Sequence, residues 1–353
     1  QPAEKDRPEH RLREAMTITI VAPACAFSGF GRTAIELFSR LSERGHTCKF
    51  KPITVEELID GRKVDFPQVI KDAFVTKVEG VELVHAPLLW DHLPQTENAT
   101  IFTMYESTRI PQRHVSVLNK YAKVVTPTDW NSEVFRDSGV TSKRYVANLG
   151  VDSETFGPPG KKQPLCVFGA AAWLKPSHRR KNFGALMTAW RAAFPGIKDV
   201  RLHLKALPGD TLPSFNDDRI VVNKSFMQPY QLANWYQGLS AFVSTSRCEG
   251  WNLMAHEAMA CFVPIISHRE GAHGELLVGG GCFPCWAKMV PHSPKEAEFG
   301  FDWEIDIDDL VDAMRFVHQD ETEAWGRGNA AGAMATVMTW DRTIDRIEEV
   351  LNA

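Results

Sequence analysis

The sequence predicts an α/β protein built as two doubly wound domains, each a parallel sheet covered by helices on both faces. Three observations predict it. Short β-rich runs alternate with helical periodicity along most of the chain. The length, 353 residues, corresponds to about two domains at ~150 residues each. A Pro/Gly break with two charges, Gly157-Pro158-Pro159-Gly160-Lys161-Lys162, reads as a linker near the middle of the chain.

The elements follow in order. Thr17 to Ala22 is a β-rich run. A small-residue turn, Ser28-Gly29-Phe30-Gly31, leads into a helical pattern with Ile35, Leu37, Phe38 and Leu41 apolar, and Gly45 stops it. Strand-like runs recur at 81–84, 100–103 and 123–126, with a helix around Val115 to Tyr121. After the linker a second series begins. It comprises a strand at 165–169, a helix from Phe183 to Phe194, strands at 201–205 and 220–222, a helix from Leu232 to Leu239, a strand at 241–244, a helix from Asn252 to Cys261 and a strand at 264–266. Ligands of such sheets usually bind beside the C-terminal strand ends.

Composition narrows the function classes. Forty Lys+Arg against 44 Asp+Glu give a net charge of −4, so nothing draws the whole chain to nucleic acid or an anionic membrane. With 44% hydrophobic residues each domain can bury a core, which excludes a disordered chain. No apolar run approaches the ~20 residues of a membrane span. Seven scattered Cys suit a reducing, cytoplasmic setting better than a disulfide framework. The charged first residues lack the apolar core of a signal peptide and read as a flexible leader, residues 1–15.

The most informative segment is Ser246-Arg247-Cys248-Glu249-Gly250-Trp251-Asn252-Leu253-Met254-Ala255-His256-Glu257-Ala258-Met259-Ala260. It follows a strand and opens a helix, whose free N–H groups and partial positive charge suit phosphate or sugar oxygens. Glu249 projects from the loop and Glu257 lies two turns into the helix. A carboxylate accepts two hydroxyl hydrogen bonds, so one Glu can hold a hexose and the other a ribose.

The segment, with Pro264-Ile265-Ile266-Ser267 beyond it, resembles the E-x7-E motif of retaining GT-B glycosyltransferases, the family of glycogen synthases, sucrose-phosphate synthases and mannosyltransferases. Other positions agree in order. Ser28-Gly29-Phe30-Gly31-Arg32 resembles the Gly-rich loop that approaches the donor phosphates, and 124–131 resembles the family's V-x-P-S strand and helix start. Asn148-Leu149-Gly150-Val151-Asp152 with Phe156 and Pro158 resembles the segment that ends the first domain. The resemblance runs from Met16 to the C-terminus. It implies a GT-B fold, two Rossmann-like domains facing across a cleft. The implied boundaries are 16–158 for the acceptor side, 159–337 for the nucleotide-sugar side and a helix in 338–353 that crosses back to the first domain.

The resemblance also implies roles. Glu249 would bind the donor sugar and stabilise the transition state. The backbone of Gly250, Trp251, Asn252 and Leu253 would contact sugar and phosphate, as would the loop at Gly29 and Gly31. Glu257 would bind the ribose, and Met227 lies where the nucleobase pocket is expected. Lys181 matches the diphosphate-binding Lys. The usual Arg after Gly169 is missing, so Lys175, Arg179 and Arg180 are candidates for the second cation. His85 and Glu106, each after a strand, are candidates to orient or deprotonate an acceptor hydroxyl. The donor is expected to be a UDP- or GDP-sugar, used with retention, with no metal and no cofactor, on an unidentified acceptor. The alternatives are a non-catalytic nucleotide- or glycan-binding protein on this fold, a sugar-nucleotide epimerase and transfer to modified nucleic acid. Cys282-Phe283-Pro284-Cys285 reads as part of a loop without a metal partner set, and the acids of 302–309 read as a solvated helix start.

Overall fold

The computed structural model describes residues 14–55, 58–59, 62–63, 66–88, 93, 96, 98–160, 165–171, 179–207, 210, 212–292 and 297–353. Lys175 and residues 1–13 of the expected leader lie outside them.

The first sheet has six parallel strands. They are β1 (Thr17–Ala24), β2 (Thr47–Val55), β5 (Val81–His85), β6 (Thr100–Phe102), β7 (Lys123–Thr126) and β8 (Lys143–Val146), in the order β2-β1-β5-β6-β7-β8. A two-stranded ribbon, β3 (Leu58–Ile59) and β4 (Arg62–Lys63), stands apart. Helices α1 (Gly29–Glu43), α2 (Gln68–Lys71), α3 (Gln112–Leu118) and α4 (Asp129–Asp137) connect the strands. Central strands are buried on both faces, which is why β1 reads as a near-continuous apolar run. Ser28 caps α1, its hydroxyl accepting from Gly31 N at 3.0 Å. Gly31 is required by packing, since a Cβ there would meet the Cys25 carbonyl oxygen at 1.8 Å.

The second sheet repeats the plan with β9 (Cys166–Ala171), β10 (Val200–Lys205), β11 (Ile220–Asn223), β12 (Ala241–Val243), β13 (Ile265–His268) and β14 (Cys282–Cys285), in the order β11-β10-β9-β12-β13-β14, again all parallel. Its helices are α5 (Phe183–Ala193), α6 (Pro229–Gln237), α7 (Leu253–Ala260), α8 (Ala272–Leu276), α9 (Ile307–Gln319) and α10 (Glu321–Ala335). An antiparallel hairpin, β15 (Ala287–Pro291) and β16 (Phe301–Ile305), projects beyond β14.

The last helix, α11 (Trp340–Asn352), packs on the first domain. Trp340, Ile344, Ile347 and Leu351 form its buried stripe at helical spacing. Thr343 Oγ1 donates to Asn148 O at 2.7 Å, Lys123 Nζ to Val350 O at 2.8 Å, and Arg44 pairs with Asp345.

Two expectations are corrected. Cys282–Cys285 is the edge strand of the second sheet, with both thiols buried and free. Pro284, whose side chain is exposed, misled the reading, although Pro is tolerated in an edge strand. Asp302 is not solvated. It is wholly buried in β16, paired with Arg179 and with His292 Nδ1 at 2.7 Å. Asp306 does start a helix, capping α9 through Asp308 N and Asp309 N.

Candidate active site

The C-terminal strand ends of the two sheets meet. Met104, after β6, lies against Gly250, after β12; a Cβ on Gly250 would come within 2.5 Å of the Met104 side chain. A Cβ on Gly29 would lie 3.7 Å from the Leu253 side chain. Asn131 of α4 donates through Nδ2 to Gly250 O at 3.2 Å, while its Oδ1 accepts from Tyr105 N at 2.7 Å. Glu275 of α8 reaches the other way and accepts from Asp129 N at 2.9 Å and Trp130 N at 2.5 Å, placing an anion on the N-terminus of α4.

Glu249 stands in this seam, 6% exposed. Its Oε2 is 2.5 Å from Arg180 Nη1 and its Oε1 2.5 Å from Lys181 Nζ. Burial acts to raise its pKa, but the adjacent charges of Arg180 and Lys181 win and hold the carboxyl well below the usual range. Lys181 moves down, because its own burial outweighs Glu249. Arg180 also donates to Cys248 O at 3.1 Å and lies 3.7 Å from Glu106 Oε1, so Glu106 faces the same cation from the first domain. The basic run therefore divides. Arg179 turns away to Asp302 and to Pro291 O at 2.6 Å, and serves the hairpin. Arg180 and Lys181 converge on Glu249.

The turn that presents them is built from both ends. Asn182 adopts a left-handed conformation, φ 48°, before α5, and its Nδ2 donates to Glu304 Oε1 at 2.8 Å. Asn252 is also left-handed, φ 75°, and caps α7 by accepting from Ala255 N at 3.3 Å. Two non-glycine residues in this region flank the Glu249 loop, where strain is commonly held for function. The Trp251 indole is core rather than lining, donating to His256 Nδ1 at 3.2 Å.

Glu257 lies on α7, 3% exposed. Tyr236 donates its hydroxyl to Oε2 at 3.1 Å, and Arg32 of α1 makes an ion pair with Oε1 from the other domain. Met227 is half-buried in the loop between β11 and α6. His85 ends β5 with its ring wholly buried. Nδ1–H donates to Phe102 O at 2.9 Å, and Nε2 has no protein partner among the described residues. Its ring centroid is 4.9 Å from that of Phe30 in the first turn of α1. Burial lowers its pKa to about 4, so the ring is neutral at pH 7 with an accepting nitrogen.

Sequence reading assigned no role to Arg32, Asn131, Tyr236, Glu275 or His273. His273 lies behind Glu249; its Nε2 is 3.3 Å from Asn252 Nδ2 and its ring 4.6 Å from that of His268. Burial, then His268, holds its pKa well below the ordinary value. Among the described residues no group of three or more His, Cys, Asp or Glu side chains converges to hold a metal ion. Among them also, no helix is long and apolar enough to cross a membrane.

Comparison with known proteins bears on the fold. Residues 169–295 match the family of glycosyl transferases group 1. A D-inositol 3-phosphate glycosyltransferase of Arthrobacter sp. (strain FB24) is 26% identical over 182 residues, 52% of this chain and 37% of that protein. The match thus spans well under half of that relative's length. Sucrose-phosphate synthase (tll1590) from Thermosynechococcus elongatus superposes with a TM-score of 0.67 at 13% identity, covering 95% of this chain and 98% of that one. Anabaena Alr3699/HepE, solved in complex with UDP and glucose, superposes with a TM-score of 0.65 at 14% identity, covering 96% and 99%. The fold is GT-B. The matched segment, residues 169–295, contains Lys181, Glu249 and Glu257.

Proposed function

We propose that the chain is a glycosyltransferase that moves a hexose from a nucleotide-diphosphate sugar to an acceptor hydroxyl, with retention at the anomeric carbon and without a metal. The observation that carries this reading is the Glu249–Arg180–Lys181 cluster at the N-terminus of α7, in the seam between two sheet ends. The two cations suit a leaving diphosphate, which is where negative charge develops. Lys181 fills the position of the family Lys and Arg180 stands in for the Arg missing after Gly169, which supports a catalytic rather than a purely binding role. Glu249, ionised and buried, suits the positive charge that grows on the sugar ring as the glycosidic bond breaks.

Glu257 would take the ribose hydroxyls, and the first turn of α7 the sugar and phosphate oxygens. His85 Nε2 would accept a hydrogen bond from a sugar or acceptor hydroxyl. Glu106, on the acceptor side of Arg180, would orient the incoming hydroxyl. UDP is the first donor to try, because the structural relative HepE was solved with UDP and glucose. Incubation with UDP- and GDP-hexoses and a panel of acceptors, with EDTA present, tests the proposal. An α-linked product from an α-donor, formed at full rate in EDTA, supports it. A β-linked product contradicts retention, and activity lost in EDTA and restored by Mn²⁺ contradicts metal independence.

A further inference from the structure

Both carboxylates of the E-x7-E motif are already neutralised from within the chain. Glu249 is paired with Arg180 and Lys181 of its own domain. Glu257 is paired on one oxygen with the Tyr236 hydroxyl, again of its own domain, and on the other with Arg32 of the opposite domain. Arg32 reaches it from the first turn of α1, the turn that Ser28 caps, and a Cβ placed on Gly29 of the same turn would lie 3.7 Å from Leu253 of α7.

We propose that Arg32 is a cross-cleft latch that competes with the donor for Glu257. This rests on the assignment of Glu257 to the ribose. In the free protein the Arg32 guanidinium holds the Glu257 oxygen that a ribose diol would use, and ties α1 to α7. Arrival of the nucleotide exchanges Arg32 for the ribose hydroxyls. Tyr236, on α6, stays with the carboxylate and keeps it aimed. The exchange is charge-for-dipole at a carboxylate 3% exposed, so the released guanidinium has to turn out to water and gives up its partner when the ribose takes its place. Arg32 is thus a positioning residue that sets donor affinity and couples donor arrival to the contact between domains.

The test is calorimetric titration of UDP and GDP, and of their 2′,3′-dideoxy forms, into the full chain and its Arg32→Ala and Arg32→Gln variants. Small-angle scattering of each ligand-free protein is recorded in parallel, and Arg32→Gln guards against loss of folding in Arg32→Ala. The latch predicts that both variants bind the ribonucleotide several-fold more tightly than the wild type. It predicts no gain for the dideoxy form, which cannot compete for Glu257, and a larger radius of gyration for the ligand-free variants. Unchanged or weaker ribonucleotide binding, with wild-type binding intact, overturns the latch and leaves the glycosyltransferase reading standing. A gain of equal size for the dideoxy form also overturns it, since Arg32 would then act elsewhere than at Glu257. Absence of binding by wild type and variants alike overturns the donor-site reading and the latch with it.

Discussion

Glu249 is held ionised between two cations, and that is the arrangement a departing diphosphate can exploit. Replacing it removes the charge that faces the reacting sugar. Glu249→Ala is expected to lower turnover by about 10²–10³-fold with the circular dichroism spectrum unchanged; turnover near wild type would remove Glu249 from its role. Lys181→Ala removes a charge-assisted contact and is expected to weaken nucleotide-sugar binding by roughly 10- to 100-fold. Affinity equal to wild type would place the phosphates elsewhere. At this scale the sequence exposed the motif residues because Glu249, in the loop, and Glu257, on α7, lie within one short continuous segment. It left open the cation beside Lys181, because three adjacent basic residues look alike until the β15–β16 hairpin claims Arg179 through the buried Asp302. Arg32 was named within its loop, yet its partner lies 225 positions away, a separation at which no periodicity speaks.

The elements that form the seam are set by caps. Ser28, Thr128 and Asn252 each accept from a backbone N–H of the helix they start. Glu275 adds a cross-domain anion to the N-terminus of α4. Glu275→Ala is expected to cost about 1 kcal/mol, read as a lower thermal midpoint; an unchanged midpoint would make the contact incidental. The strands were legible wherever apolar residues run continuously, as in β1, β5 and β12. One-sided or edge strands were legible only in part: β10, with its Leu202–Leu204 alternation, and edge β11 were read, while edge β8 was not. Likewise β2, with its alternating Lys49 and Lys51, went unread, and β14 was taken for a loop through its Gly-rich approach and Pro284.

For the whole molecule, the consequence of burying several imidazoles is a particular pH dependence. Burial lowers His85 and His268 to about 4, against ~6.5 in an unfolded chain. Each therefore binds its proton less readily when folded. The stability from keeping these rings neutral is complete above pH 6.5 and is lost as the pH falls toward 4. Between pH 6.5 and 5 the loss is roughly 2 kcal/mol per ring. Denaturant unfolding at the two pH values should show it, and His268→Gln should flatten the slope; a variant with the wild-type slope would contradict the assignment. The two-domain plan was legible because alternation of strand and helix is a chain-wide pattern. The contact between the domains was not, since it consists of single pairs such as Asn131 with Gly250 and Arg32 with Glu257.

The most direct test of the donor site is a calorimetric titration of UDP- and GDP-hexoses into the wild-type chain and Lys181→Ala. The account predicts saturable binding of one nucleotide sugar, with one site per chain, weakened at least tenfold by the substitution. Failure of every nucleotide sugar to bind, or binding that is indifferent to Lys181, would contradict it.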